Sequence, residues 1–470
     1  MTEKSKALRT LTQTMADFVF GLTYSSIPPQ VMAAARMYLA DSMACAVGAC
    51  DTAAVQAVMR YAIERGGRSE ATIFGTDRKV PARLAALVNG TMVRYLDAND
   101  IFVLSRGGAS GHCSDGTPGL VGLAERHDRS GAELLVCLVA SYELQGALAE
   151  MFRFRERGLH PLTQLAWTVP IVAARLLGAT VDEAVHACGL SIATGTVLNT
   201  WLRPAHTMPM IKSIAVGLVL ERVLEAAELA TRGVTATEDA LETAFSCFSS
   251  TGSARVDPLP VEQLGLNWAT PRNMIKVYPA QINTQAAIEA VLGLYQNGLR
   301  AEAVRKLILY GNRNICGGVQ GSPQAFAPAS REAADHSTPY VMAMALLHGR
   351  LTAQEYEGSP WETSQVKSLM SKIDLVEDPE KNRAFDTEGI LGVRLVAELN
   401  DGAMNEITIH QPKGHPDAPL SDAELLEKMD WLLEGRAPAQ TPMRLLDLCR
   451  RLSTAEHVQQ LLETCKVAPA

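Results

Sequence analysis

Apolar residues along this chain recur mostly at the three- and four-residue spacing of helices. From Thr10 to Gly48 the pattern is helical and is punctuated by Pro28 and Pro29. The run after them, VMAAARMYLADSMACAVG, is apolar on nearly every face, which predicts a buried helix. Pro81 suits the first turn of a further helix. Ser130 with Glu133, and Thr180 with Glu183, form capping-box patterns ahead of long apolar stretches. Another helix is predicted over Lys212 to Arg232. Starts at these intervals suit a bundle, and no fixed-period repeat stands out.

The texture changes near Asn273. MIKVYPA and VRKLILYG read as short strands, and LGVRLVAEL and NEITIHQ flank Asn400, Asp401 and Gly402, a strong hairpin signal. Helical patterns (TQAAIEAVLGLY, STPYVMAMALLHG) lie among these strands, so residues 273–411 predict a smaller α+β domain. Ser421 and Glu424 then make another capping box and the chain returns to helices. The expected fold class is mainly α: a large all-α helical domain (1–272), the smaller domain as an insertion (273–411), and C-terminal helices (412–470) packing back on the first.

Composition agrees. In 470 residues, hydrophobics make up 47% and aromatics 5%, with many alanines and leucines, which favours helix over sheet. The net charge of -8 argues against nucleic acid as a partner and means that an anionic ligand needs a local basic cluster. Nine cysteines are scattered without a C-x-x-C pair, the pattern of reduced thiols in a cytoplasm. The start MTEKSKALRTLTQTMADF lacks the apolar core of a signal peptide, and no uninterrupted apolar run reaches membrane-spanning length. The expectation is a soluble cytoplasmic protein without a membrane partner.

Candidate chemistry concentrates in YLDANDIFVLSRGGASGHCSDGTPG, Tyr95 to Gly119. Asp97 and Asp100 are three apart at the end of a helical pattern, so in a helical turn both would point into one site. The glycine-rich bend lets the backbone approach a ligand closely, and His112 follows it. Ser114 or Asp115 is expected to cap the next helix, whose N-terminus suits an anion. His160 precedes Pro161 in a bend between helices. Arg203, His206 and Lys212 lie in an irregular segment entering a helix, where a lysine near the N-terminus calls for a compensating anion. Lys276 sits in the expected strand MIKVYP, and Tyr340 at the start of an apolar helix. There is no H-E-x-x-H, no Walker loop and no dinucleotide-binding glycine motif in a β-α-β context, so the expectation is no cofactor and no metal.

Together these segments resemble the MmgE/PrpD family of 2-methylcitrate dehydratases, cis-aconitate decarboxylases and iminodisuccinate epimerase. LDANDIF followed by GHCSD resembles the family's D-F-x-D-T-W and H-P-S-D segments, and RGLHP its G-F-H-P. The region of Lys212, KVYPA and ADHSTPYVMAMALLHGRLT follow in family order. The resemblance implies a helical domain with an inserted lid, a metal-free homodimer, and an active site between the domains. Asp97, His112, His160, Lys212, Lys276 and Tyr340 would occupy it. Two positions depart: Ile101 replaces a threonine, and Gln281 stands where decarboxylases have histidine. On this reading His112 and His160 supply acid and base and Asp97 tunes one of them. Lys212, Lys276 and Arg203 bind carboxylates, with Asp100 and Gln281 also at the substrate. The activity expected is dehydration of a 2-methylcitrate-like hydroxy-tricarboxylate. Epimerisation or decarboxylation of a related polycarboxylate, or silent binding of one, are the alternatives.

Overall fold

The computed structural model describes residues 9–105, 107–248 and 257–467. It is mainly helical. The first body holds α1 (Leu11–Gly21), α2 (Pro29–Gly48), α3 (Ala53–Arg65), α4 (Ala82–Tyr95), α5 (Thr117–Arg126) and α6 (Gly131–Met151). It continues with α7 (Leu162–Leu176), α8 (Val181–Gly195), α9 (Ile211–Ala230) and the shorter α10 (Ala240–Cys247) and α11 (Leu259–Glu262). The capping boxes form as the sequence signals: Ser130 and Thr180 each accept from the backbone N–H of the glutamate three residues on. α2 is buried along its whole length from Tyr38 to Gly48. α6, whose apolar run Glu143 interrupts, is nevertheless long and apolar enough to cross a membrane, and 89% of its most apolar window is buried in the protein core.

α4 and α9 pack closely, and glycine makes that possible. A Cβ on Gly217 would collide with the Leu87 carbonyl and press on the Thr91 hydroxyl. This antiparallel contact sets the start of α9, with Lys212, beside the end of α4, with Arg94.

Two ladders of two residues each belong to this body's periphery. β1 (Ala71–Thr72) pairs with β2 (Lys79–Val80), and β3 (Ile101–Phe102) pairs antiparallel with β4 (Asn273–Met274). The second ladder clips the loop after Asp97 to the segment carrying Lys276. The predicted strand MIKVYPA therefore shrinks to Asn273 and Met274, and Lys276 lies just past it in irregular chain. Pro279 and a lysine that turns inward leave little to pair there.

The second body contains α12 (Gln285–Gln296), α13 (Arg313–Cys316), α14 (Arg331–Ala334), α15 (Thr338–His348), α16 (Ser364–Met370) and α17 (Pro379–Glu388). They accompany β5 (Val304–Gly311), β6 (Ile373–Glu377), β7 (Val393–Leu399) and β8 (Met404–Ile409) in one sheet of order β6-β5-β7-β8. β5 and β6 run parallel and the other neighbours antiparallel. The β7–β8 hairpin turns where Asn400, Asp401 and Gly402 stand, with Gly402 at φ 88°. Finally α18 (Asp422–Leu433), α19 (Thr441–Arg451) and α20 (Gln459–Thr464) rejoin the first core, where Leu425, Met429 and Leu445 cluster with the α2 residue Met43. A small apolar cluster of Ile101, Val103, Met274, Ile282, Phe385 and Leu391 joins the two bodies.

Candidate active site

α4 ends at Tyr95, and Asp97 takes a left-handed conformation (φ 53°) that an aspartate tolerates better than most residues. The turn drives its carboxylate into a cluster of cations. Oδ1 accepts from Arg94 Nη1 at 2.9 Å and from Lys276 Nζ, while Oδ2 lies 3.4 Å from Lys212 Nζ and 3.8 Å from His336 Nδ1. Burial alone would raise the Asp97 pKa. Lys276, Arg94 and Lys212 outweigh it and hold the group well below the ordinary carboxylate range.

A second carboxylate completes the cluster. Asp335 Oδ2 accepts from Lys212 Nζ at 2.5 Å and Arg331 Nη1 at 3.1 Å, and Oδ1 from His336 Nδ1 at 2.6 Å. The compensating anion expected for Lys212 is thus the protein's own Asp335. Burial lowers the Lys276 pKa from 10.5 to about 8, with Asp97 opposing and Arg94 adding to the fall. Asp97, Asp335 and His336 bring three potential ligand atoms within 4.8 Å of one another. Lys212 and Lys276 already lie against these carboxylates, so a metal cation there would face two ammonium groups.

The histidines differ in their fixed nitrogens. His112 Nδ1 contacts the Asp100 carbonyl, which only accepts, so Nδ1 carries the proton and Nε2 the lone pair. His160 Nδ1 instead accepts the Leu162 N–H at 3.2 Å, which puts the neutral ring's proton on Nε2. Its ring lies 4.7 Å from that of Trp201. Burial lowers both pKa values well below 6.5, reinforced at His112 by Arg94 and Lys276 and at His160 by Arg155 and Arg94.

Asp97, His112, His160, Lys212, Lys276 and Gln281 all line one cavity of about 30 Å³, together with Arg94, Ile101, Arg155, Trp201 and His336. Three expected residues do not. Tyr340 is fully buried in the second core, where its hydroxyl donates to the Glu355 carbonyl at 2.6 Å. An apolar helix start makes it a packing residue. Arg203 is exposed in the irregular segment before α9 and does not line the cavity.

Asp100 is fully buried behind the site. Because α4 ends before Asp97, the helical face that would have aligned the two aspartates does not exist. Asp100 Oδ1 accepts instead from the Ser114 N–H at 3.1 Å and its hydroxyl at 2.5 Å. This also corrects the reading of the next helix: neither Ser114 nor Asp115 caps α5, and the anion at the turn before it is Asp100 itself. The glycine bend approaches protein at Gly107 (φ 84°), where a Cβ would collide with the Phe385 carbonyl of α17, while Gly111 at its other end lines the cavity.

Sequence reasoning passed over Arg94, Arg155, Asp335 and His336. Arg94 stands three residues before Asp97, a spacing that invites an ion pair. Asp335 and His336 are adjacent in ADHSTPY, a segment singled out for Tyr340 alone.

Comparison with known proteins places the sequence in a family. The MmgE/PrpD N-terminal domain profile matches residues 13–255 and the C-terminal domain profile residues 278–453. The chain is 26% identical over 438 residues to 2-methylcitrate dehydratase of Salmonella typhimurium, covering 88% of each chain. It is 24% identical over 405 residues to the probable 2-methylcitrate dehydratase of Saccharomyces cerevisiae, covering 81% of this chain and 77% of the relative. A cis-aconitate decarboxylase-like protein of Aspergillus oryzae, oryM, is 24% identical over 483 residues, covering 96% of each. With both domain profiles spanning most of its length, the chain belongs to the MmgE/PrpD family.

Proposed function

We propose that the protein is a hydro-lyase that eliminates water from a 2-methylcitrate-like hydroxy-tricarboxylate by acid–base chemistry of its own side chains. One observation carries the reading: a neutral imidazole with a free Nε2 and an ammonium of pKa about 8 border the same cavity. His112 removes the proton on the carbon next to a carboxylate. The C–H electron pair becomes the double bond as the C–O bond breaks, and Lys276 protonates the departing hydroxyl, which leaves as water. The proton on His112 then returns through solvent to Lys276.

The other groups support these two. Asp97 keeps Lys276 in place and biased toward its charged form. Lys212 stabilises the charge that builds on the substrate carboxylate. His160 donates from Nε2 to orient the substrate. Names of relatives support dehydration. Gln281 in place of a histidine separates the site from the decarboxylases.

The test is incubation of the protein with 2-methylcitrate, citrate, cis-aconitate and iminodisuccinate in heavy water, followed by proton NMR. Loss of a hydroxy-tricarboxylate with appearance of its alkene is the expected result. Solvent exchange or isomerisation of iminodisuccinate without dehydration would replace the reading with epimerisation, and no reaction or exchange with any compound would refute it.

A further inference from the structure

Positive charge at the cavity is unevenly matched. Lys276 pairs with Asp97, and Lys212 with Asp335. Arg94 shares Asp97 and Asn99 through Nη1 alone, so its Nε and Nη2 make no hydrogen bond among the described residues. Arg155 borders the same cavity and makes no hydrogen bond or salt bridge among the described residues, with Asp97 acting on it only through its field. It also keeps contact with solvent, which places it at the mouth. Arg94 is buried, and the inward end of the otherwise exposed Arg155 feels it: desolvation lowers the Arg155 pKa, Arg94 adds to the fall and Asp97 opposes it. Among the described residues Asp97 is the one acid that acts on both arginines, and it is already bonded to Lys276, so a further anion would offset their charge and a planar fork suits a carboxylate.

We propose that Arg94 and Arg155 form a separate anion subsite that holds the central carboxylate of the substrate, and so select tricarboxylates over dicarboxylates. The proposal rests on the dehydratase reading for the identity of the substrate, but binding tests it independently of turnover. Arg155 is the residue to change, because it is exposed and packs little of the core.

The experiment is calorimetric titration of the full chain with propane-1,2,3-tricarboxylate and with glutarate, which has the same carbon chain without the central carboxylate. Neither has a hydroxyl to lose. The wild-type chain is expected to favour the triacid. Arg155→Gln should weaken triacid binding about 10- to 100-fold, the range of a charge-assisted pair, and leave glutarate within about twofold. Arg155→Lys should fall between, having the charge without the fork. Arg153→Gln, an exposed arginine outside this cavity, is the control and should bind both acids as wild type does. Equal losses for both acids in Arg155→Gln would reduce Arg155 to a general field effect and overturn the subsite. So would unchanged triacid binding, or a wild-type chain without triacid preference. If the triacid result holds while 2-methylcitrate is not dehydrated, the subsite stands and the reaction assigned to the protein falls.

Discussion

Lys428 should be among the residues least tolerant of truncation, although it lies behind the cavity. It sits on α18, fully buried, with its ammonium on Asp41 of α2 and on the Ala98 carbonyl at 2.7 Å. Lys428→Met keeps the volume and removes the charge. Asp41 then has two options: remain ionised without a partner, at about 3–5 kcal/mol, or take a proton. Burial already raises its pKa against the pull of Lys428. Keeping it protonated when the unfolded chain ionises near 3.9 costs about 1.4 kcal/mol per pH unit above that value, or about 4 kcal/mol at pH 7. The lost donor to Ala98 adds about 1–3 kcal/mol.

The sign is fixed. A carboxyl whose folded pKa is raised contributes stability below its unfolded pKa and loses it as pH rises, so the deficit should shrink to about 1.5 kcal/mol plus the Ala98 share at pH 5. Asp41→Asn with Lys428→Met should recover most of the charge part but not the Ala98 part. It should also turn over more slowly than wild type, because Ala98 is the neighbour of the strained Asp97. Urea unfolding of wild type, single and double variants at pH 5, 6 and 7 reads these values. A pH-independent deficit, or a double variant as unstable as the single, would refute the reasoning.

His112→Asn should lose about 10²–10⁴-fold in kcat while circular dichroism stays native, whereas His127→Asn, at the end of α5, should retain activity; near-full turnover by the first would remove the base. The kcat/KM profile should have an alkaline limb near pH 8 as Lys276 loses its proton, and an acid limb below pH 6.5 as His112 gains one. Lys276→Arg should move the alkaline limb upward, if at lower rate. Asp100→Asn should gain stability relative to wild type as pH rises. Burial lifts the Asp100 pKa from 3.8 to about 6, so the wild type loses about 3 kcal/mol between pH 4 and pH 7, a cost asparagine avoids. Thermal melts across that range would show a flat difference if Asp100 were not the cause.

The helical elements were legible because their signals are local. Ser130, Thr180 and Ser421 each announce a helix through a glutamate three residues on, and the apolar periodicity of α2 and α6 needs no partner to be read. β6 escaped because it is an edge strand in which only Ile373 is buried, so IDLVE carries little alternation. At the site, Asp97, His112, His160, Lys212 and Lys276 were named from composition, bends and family order. Asp100 misled because a spacing of three implies a shared face only while the helix continues, and the left-handed Asp97 ends it. Tyr340 misled because a tyrosine at a helix start looks the same whether its hydroxyl meets a ligand or the Glu355 carbonyl. Arg94 and His336 have near partners in Asp97 and Asp335, but their place at the cavity with Lys212 and Lys276 is set by residues far away in the chain, which no window contains.

The cavity is about 30 Å³, whereas small-molecule sites usually enclose roughly 300–1,000 Å³. Its cations are already engaged by Asp97 and Asp335, so a substrate carboxylate has to compete with the protein's own. On the proposed function, the seam of Ile101, Ile282 and Phe385 has to part to make room for a tricarboxylate behind the mouth at Arg155, so association should be gated rather than diffusional. Measured affinity would then be the intrinsic affinity scaled by the open fraction, and a change that loosens the seam should tighten binding without touching the ligand. Crystals grown in this conformation should resist soaking, and co-crystallisation would be the way to see the site filled.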